Sequence, residues 1–455
     1  MKPNINGVFP HLTVKADHLP ARTETGIGAL MPWANRLWFI TYVAHKKASG
    51  AGTGLFTIDD DFNLRKHPAS CVGTYANRMV HSESHQVIIG PHLIDPDGRV
   101  RTFPDLVDIR LAATCRHLTE PEKKVYFLGM EGEFLEAEVY SLRVKFLFDL
   151  KKELGITGPH FKDAFTSHGW VVVANNSYYP ADFQRGESDG RLAEWDGKSW
   201  HILARTQFNT VTGRYSSALG EAIYAVGQDR ASALFYVYLP GTGWKLYRLP
   251  KGTHTQDHAW TTEWPRIREV ESERWLMDAS GIFYELPAMT YADSIWGVVP
   301  ICRHLRIIGD FCSWNGLLGL AGDQTTPIND SNPFVGQPQA NLWFGKTDDL
   351  WHFGGKPAGW GGPWWETAVK PGQVSDPFLM TGFTPGCLHV NFQGGLTTRL
   401  SLEVDFQGTG NWQPYTEIEV KKGYASYVFP EGFASHWIRL IAHASGTATA
   451  QLFYR

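Results

Sequence analysis

Residues 214–250 constrain the fold most, because they read as four short strands separated by turns. The strands RYSSAL, AIYAVG, ALFYVYL and WKLYRLP are separated by GE, QDRASA and PGTG. This pattern is typical of an antiparallel meander. One such sheet is too small to be stable alone and needs neighbours on both faces. Similar units recur along the chain, which predicts an all-β fold, a β-propeller.

Seven such units, the blades of the propeller, are predicted within residues 1–353. They begin at TGIGALMPW, ANRMVHS, IRLAATC, HFKDAFT, RYSSAL, WPRIREV and HLRIIGD. The segment SLRVKFLFDLKKELGI is predicted to be either the fourth strand of the third blade or a short helix. Residues 354–375, rich in Gly, Pro and Trp, are predicted to form a linker. Five further strands in residues 376–455 predict a C-terminal β module that packs on the propeller or closes it.

Composition excludes several classes of protein. A net charge of −4 argues against a nucleic-acid-binding protein. No window is apolar enough for a membrane span, and the first ten residues contain no apolar segment of a signal peptide. The five cysteines are scattered and lack CxxC spacing, so buried free thiols are expected rather than disulfides or a zinc site.

A cation stands at the predicted start of the first strand of each blade. First-strand starts lie on one face of a propeller, around the mouth of its central channel, where a binding pocket is expected. Like charges gathered there repel one another unless an anion binds. The alternative is that each cation caps or pairs within its own blade. The substrate-binding cations predicted in this way are Arg78, Arg110, Lys162, Arg214, Arg266 and Arg306, with Arg22 at the first blade.

Polar side chains are expected on the same face, where the second strands end. His92, Asn175 and Gln228 are predicted to bind sugar hydroxyls, and Trp264 in a nearby loop to stack on a sugar ring. His45 ends the apolar strand LWFITYVAH and is predicted to be the catalytic base, since the pKa of histidine suits proton abstraction. Together these groups indicate a site for an acidic carbohydrate.

The stretches TGIGALMPWANRLWFITYVAH, GTYANRMVHSESHQVIIGPHLID and RLAATCRHLTEPEKKVYFLGMEG resemble the seven-bladed propeller enzymes that remove terminal L-rhamnose from α-1,4-linked D-glucuronic acid. The resemblance extends to EVDFQGTGNWQPY near the end of the chain. It implies that the substrate is an acidic plant polysaccharide, the side chains of arabinogalactan and gum arabic. It also implies a secreted or periplasmic location for the mature protein.

Three functions remain open. The first is a polysaccharide lyase that cleaves by β-elimination, with His45 as base and the cations holding the uronate carboxylate. The second is an α-L-rhamnosidase that hydrolyses the same linkage with a histidine on the opposite face, for which the candidates are His81, His85 and His168. The third is a carbohydrate-binding propeller without catalysis. The chain is expected to be a monomer and to require no cofactor, and a structural Ca²⁺ ion in the central channel is left open.

Overall fold

The computed structural model describes residues 14–15, 25–43, 53–177, 189–213, 222–254, 265–287, 295, 297–325, 338–352, 356–395 and 397–455. Strands dominate this part of the chain, as the sequence predicts. It also contains one short α-helix and three short 3-10 helices, which are α1 (Leu150–Leu154), Ser82–Ser84, Pro104–Leu106 and Thr347–His352. No helix in these ranges is long and apolar enough to span a membrane.

The first four sheets in chain order are antiparallel and have four strands each, arranged in the order of the chain. Strand β1 (Val14–Lys15) precedes them and belongs to the last sheet. Sheet 1 contains β2 (Thr25–Trp33), β3 (Arg36–Val43), β4 (Gly54–Ile58) and β5 (Leu64–Lys66). Sheet 2 contains β6 (Arg78–His81), β7 (Gln86–Ile89), β8 (His92–Ile94) and β9 (Val100–Thr102). Sheet 3 contains β10 (Leu111–Arg116), β11 (Lys124–Gly129), β12 (Glu133–Glu138) and β13 (Val144–Asp149). Sheet 4 contains β14 (Phe161–Ser167), β15 (Trp170–Asn175), β16 (Arg191–Trp195) and β17 (Trp200–Ala204).

The next meander, which we call sheet 5, is the beginning of a larger sheet of 12 strands. Sheets 6 and 7 again have four strands each. The strands of this meander, sheet 5, are β18 (Gln207–Gly213), β19 (Ile223–Gln228), β20 (Ala233–Leu239) and β21 (Gly243–Leu249). Sheet 6 contains β22 (Arg266–Glu271), β23 (Arg274–Ala279), β24 (Ile282–Leu286) and β25 (Val299–Arg303). Sheet 7 contains β26 (Phe311–Trp314), β27 (Leu317–Thr325) and β28 (Pro338–Gly345), with β1 as its outer strand.

The sheets are arranged around a ring. The first strand of each sheet contacts the first strand of the next, and β26 in turn contacts β2. The pairing of β1 with β28 joins the beginning of the chain to the last sheet, which closes the ring without a covalent bond. The fold is therefore a β-propeller, as predicted.

The predicted number of seven blades is not confirmed by this topology. Six sheets are self-contained blades of four strands. The predicted fifth blade is a four-stranded meander, but it continues into the C-terminal strands through the parallel pairing of β21 with the strand Phe378–Leu379.

The C-terminal strands pack directly on sheet 5. They are β29 (Trp360–Val369), β30 (Phe378–Leu379), β31 (Pro385–Gln393), β32 (Thr397–Asp405), β33 (Gln413–Lys421), β34 (Tyr424–Val428), β35 (Trp437–Ala442) and β36 (Gly446–Tyr454). One hydrophobic core includes residues of sheets 5 and 6 and of these strands. At the junction, the rings of Tyr247 and Trp437 lie 5.0 Å apart.

Three details of the prediction are corrected or resolved. The predicted linker 354–375 contains strand β29, because its tryptophans and small residues pair with β36. The first strand of the fifth meander is β18 and not RYSSAL, since the polar segment QFNTVTG pairs with β19. The segment SLRVKFLFDLKKELGI forms both the strand β13 and the helix α1, which begins at the N-cap Asp149 and ends at Gly155 with a φ of 61°.

The cysteines agree with the expectation of free thiols. All five are free, and Cys115, Cys302 and Cys312 are buried. Burial raises the pKa of these three thiols to about 12, which makes them unreactive near neutral pH.

Candidate functional site

The first strand of each sheet is its inner strand, nearest the axis of the ring. The inner strands of five sheets line a cavity of about 260 Å³ in the central channel. Its walls come from β6, β10, β14, β18 and β22. Small residues on β10, such as Ala112 and Ala113, leave room beside the charged groups. The charged side chains that line it are Arg78, Arg266, Arg268 and Asp163. The structure thus brings two of the predicted cations, Arg78 and Arg266, into one cavity.

A buried carboxylate, Asp310, joins two of these arginines. Its Oδ2 lies 2.8 Å from Nε of Arg78, and its Oδ1 lies 2.9 Å from Nε of Arg268. The backbone N–H of Leu30 also donates a hydrogen bond of 2.8 Å to Oδ2. Burial alone raises the pKa of Asp310, but the positive charges of Arg268 and Arg78 lower it more, so the net shift is downward. The carboxylate therefore ties sheets 1, 2 and 6 together as a permanent anion.

The carboxylate that lines the cavity itself, Asp163, pairs more loosely with Arg266. Nη1 of Arg266 is 3.7 Å from Oδ2 of Asp163, while Thr210 donates a hydrogen bond of 2.6 Å to the same oxygen. Nε of Arg266 donates to the carbonyl of Gly309 at 3.1 Å. Burial lowers the pKa of Arg266. Burial and the charge of Arg268 lower the pKa of Arg78 to about 10. Both arginines remain protonated at neutral pH.

The described groups leave this cavity with an excess of positive charge. Three guanidiniums and one carboxylate, Asp163, line the cavity, and a net charge of +1 remains when Asp310 behind Arg78 and Arg268 is counted as well. In a site shielded from water this excess attracts an anion more strongly than it would at an exposed surface. The arrangement suits a carboxylate ligand of limited size.

Two other predicted cations, Arg110 and Lys162, act electrostatically on a buried histidine, His160. Burial and the charges of Lys162 and Arg110 lower the pKa of His160 well below its ordinary value, although a hydrogen bond with the Asn176 side chain acts in the opposite direction. Nη1 of Arg110 also pairs with Oε1 of Glu131 at 2.8 Å. The lowered pKa keeps His160 neutral at pH 7, so that its ring can accept a proton, but the same shift weakens it as a base.

A bulge near the start of the inner strands helps to place these groups. In β14 the register shifts between Phe161 and Asp163, so that Lys162 is the extra residue. In β18 it shifts between Phe208 and Thr210, so that Asn209 is the extra residue. Bulges bend a strand and redirect side chains, and they are common next to functional sites. Lys162 and Asn209 are both buried.

The predicted amides Asn175 and Gln228 bond to neighbouring parts of the protein. Asn175 accepts a hydrogen bond of 2.7 Å from the N–H of His160, and its Nδ2 donates to the carbonyl of Asp189 at 2.8 Å. Gln228 donates to Oε1 of Gln207 at 2.7 Å and accepts from Nδ2 of Asn209. Both amides are fully buried, so these contacts support the starts of the inner strands.

Arg306 and His92 lie outside both groups of cations described above. Nη2 of Arg306 donates to Oδ1 of Asn341, and burial lowers the pKa of this arginine. His92 does not lie at the end of the second strand, as predicted, but begins the third strand β8, because Gly90 with a φ of 56° ends β7. The ring of His92 is buried, with Nδ1 2.8 Å from Oγ1 of Thr102.

His45, Arg214 and Trp264 lie outside the described residues. Arg214 was predicted at the start of an inner strand, but the structure has the inner strand β18 ending at Gly213, immediately before it. Sequence reasoning also missed Arg268, Asp163, Asp310 and His160. A signal existed for Arg268, because side chains two residues apart on a strand point to the same face, as Arg266 and Arg268 do in RIREV.

The buried His92 predicts a measurable pH dependence of stability. Burial, with a smaller contribution from His67, lowers its pKa to about 4. The unfolded state takes up this proton near pH 6.5, so stability is lost as the pH falls from about 6.5 towards 4. In urea titrations, the free energy of unfolding of the wild type should fall over this pH range by up to about 3 kcal/mol more than that of the variant His92→Gln. Replacing the exposed His201 by Gln is the control, and an unchanged slope in His92→Gln would contradict the assignment.

Comparison with known proteins shows similarity only at the level of fold. No family model and no curated protein sequence matches the chain. Solved structures similar to it include U3-55K, with 10% identity, a TM-score of 0.42 and coverage of 74% of this chain and 99% of that chain. The WD40 repeats of RRP9 have 9% identity, a TM-score of 0.41 and coverage of 75% and 100%. The β-propeller domain of Cps50 (Swd1) from Myceliophteria thermophila has 10% identity, a TM-score of 0.36 and coverage of 69% and 96%. These values carry no information about function.

In the described ranges, no group of three or more His, Cys, Asp or Glu side chains is arranged to hold a metal ion.

Proposed function

We propose that this protein binds an acidic sugar at the central channel and removes terminal L-rhamnose from L-rhamnose-α-1,4-D-glucuronic acid by β-elimination. The observation that supports this best is the excess positive charge of the channel cavity, where Arg78, Arg266 and Arg268 outnumber two carboxylates. The resemblance of the sequence to propeller enzymes acting on this linkage supplies the substrate. The acceptor is then an arabinogalactan side chain.

The chemistry requires a cationic site and a neutral base. The base removes the proton from C5 of glucuronate, a double bond forms between C4 and C5, and the bond from C4 to the rhamnosyl oxygen breaks. The leaving oxygen takes a proton from an acid or from water. Because the C5 proton is weakly acidic while the carboxylate is charged, guanidiniums that neutralise this carboxylate stabilise the transition state, by about 3 kcal/mol for each well-placed donor.

Two histidines are candidates for the base. His45, two residues beyond the end of β3, is the candidate from the sequence. His160 is a second candidate, because burial and the charges of Lys162 and Arg110 keep it neutral at pH 7. Trp264 remains a proposed contributor to sugar binding.

We further propose that sheet 5 is the seventh blade of the propeller. Its inner strand β18 contacts the inner strands β14 and β22 of its two neighbours. The 12-stranded sheet then consists of this blade and the C-terminal module that extends it.

A second candidate function is carbohydrate binding without catalysis. It is favoured by Asp310, which already engages both Arg78 and Arg268 and leaves less charge for a substrate. Hydrolysis by a histidine on the opposite face has less support at His81, whose Nδ1 and Nε2 lie 2.6 Å from Oγ of Ser84 and from the carbonyl of Pro121. His85 and His168 remain candidates for that reaction.

Incubation with gum arabic distinguishes these functions. The lyase is expected to release rhamnose and to produce the ultraviolet absorbance of an unsaturated uronate in equal amounts. Reduction of the uronate carboxylates to alcohols should abolish both signals, because the C5 proton is then no longer acidic. Release of rhamnose without absorbance would indicate hydrolysis. Binding in calorimetry without release of any product would indicate the non-catalytic function.

A further inference from the structure

A second polar cavity, of about 340 Å³, lies between sheet 5 and the C-terminal module. We call it the junction cleft. One wall is the turn that follows β19, with Arg248 near the end of β21, and the other is the middle of β29. It is separate from the channel cavity, since no residue lines both. The lining residues are Asp229, Arg230, Ala231, Arg248, Pro363, Trp365, Glu366 and Thr367.

Hydrogen bonds fix both walls of the junction cleft. The backbones of Lys251 and Trp360 exchange hydrogen bonds of 2.7 and 3.0 Å, and the N–H of Gly362 donates to the carbonyl of Ala231 at 2.9 Å. Nζ of Lys251 donates to the carbonyl of Asp229 at 2.6 Å. Such a cleft is largely formed before a ligand arrives, so little ordering is needed on binding.

Strand β29 is distorted where it faces the cleft. Its register with β36 shifts twice, between Gly361 and Trp364 and between Trp364 and Thr367. Glu366, within the second shift, has a φ of 46°, a left-handed conformation that is uncommon for a residue other than glycine. Bulges and strained residues of this kind gather at functional sites. Here they present Trp365, whose side chain is 42% exposed, and Glu366 to the cleft.

The charges that line the junction cleft balance, unlike those that line the channel cavity. Arg248 bonds to Oδ2 of Asp229 at 2.8 Å and to Oδ2 of Asp376 at 2.7 Å, and Arg230 lies 3.7 Å from Oε2 of Glu366. Two guanidiniums and two carboxylates line the cleft, so the lining carries no net charge. An anionic ligand therefore finds no excess of positive charge to attract it there.

We infer that the junction cleft binds a neutral pyranose unit of a carbohydrate chain. The exposed indole of Trp365 offers an apolar face for the C–H surface of the sugar ring. The carboxylates of Asp229 and Glu366 accept hydrogen bonds from sugar hydroxyls, and the guanidinium of Arg230 donates to sugar oxygens. The cleft has the volume of an ordinary ligand site, which starts at about 300 Å³. This inference does not depend on the proposed lyase activity.

The test is titration of the full-length protein with two neutral trisaccharides, β-1,6-galactotriose and maltotriose, by calorimetry and saturation-transfer NMR. At least one of them is expected to bind. The variant Trp365→Ala should weaken that binding by about tenfold or more, because an aromatic anchor is lost, whereas Trp365→Phe should retain most of it. The matched control is Trp351→Ala, since Trp351 is 51% exposed and does not line the cleft.

Two results would overturn the inference. One is the absence of binding by either trisaccharide, and the other is unchanged binding in Trp365→Ala. Glucuronic acid added to the same titrations should leave trisaccharide binding unaffected, and competition between them would place the neutral sugar in the channel instead.

Discussion

Replacement of Asp310 by Asn is expected to lower the free energy of unfolding by about 3–5 kcal/mol, the usual cost of leaving a buried charge unpaired. Asn has nearly the same shape and can still accept the hydrogen bond from Leu30. It cannot neutralise Arg78 and Arg268, both of which lie within 3 Å of the carboxylate. The loss should appear in urea unfolding at pH 7, with an unchanged dependence on denaturant if the fold is retained.

The pH dependence offers a check on the same residue. The pKa of Asp310 is lowered in the folded protein, so its contribution to stability is complete above the unfolded pKa of about 4 and is lost as the pH falls through the lower folded value. The Asn variant should lack this loss. The exposed Asp97 provides a control, and its Asn variant should stay within about 0.5 kcal/mol of wild type. A similar small change in Asp310→Asn would mean that the arginines do not need this anion.

If the protein is the proposed lyase and His45 is its base, replacement of His45 by Ala is expected to reduce the rate of rhamnose elimination by a factor on the order of 10²–10⁴, the usual contribution of a general base. The measurement is the initial rate of ultraviolet absorbance on gum arabic. Thermal unfolding should change little, which would separate a chemical role from a structural one. Full activity in this variant would remove His45 from the mechanism.

The variant His160→Gln tests the alternative base. If His160 removes the proton, the rate of elimination should fall by a factor on the order of 10²–10⁴ in His160→Gln and should change little in His45→Ala. If His160 only supports Lys162 and Arg110, its replacement should raise KM more than it lowers kcat, because substrate binding is affected before chemistry. Measuring both variants on the same substrate assigns the base to one position.

Most blades were predictable because strands and turns have local signals. The strands β3, β7 and β15 are short apolar runs bounded by turn residues, and the structure has them where the pattern predicts. The strand β18 was missed because QFNTVTG is mostly polar, and its polar side chains are buried with partners supplied by other parts of the chain. Strand β29 was missed for a related reason, since its Gly and Pro residues resemble a loop until β36 lies beside it.

The amino-acid sequence by itself indicated a ring of antiparallel sheets, with cations near the starts of four inner strands. These cations are Arg78, Arg110, Lys162 and Arg266. Period-two patterns and turn residues are local properties, so they can be read without coordinates. Only the tertiary structure decided that Arg78 and Arg268 share the carboxylate of Asp310, that Lys162 lies beside His160 and that Trp365 faces a cleft. These contacts join residues far apart in the chain, and their geometry depends on strand register, on bulges and on burial, none of which has a local signal.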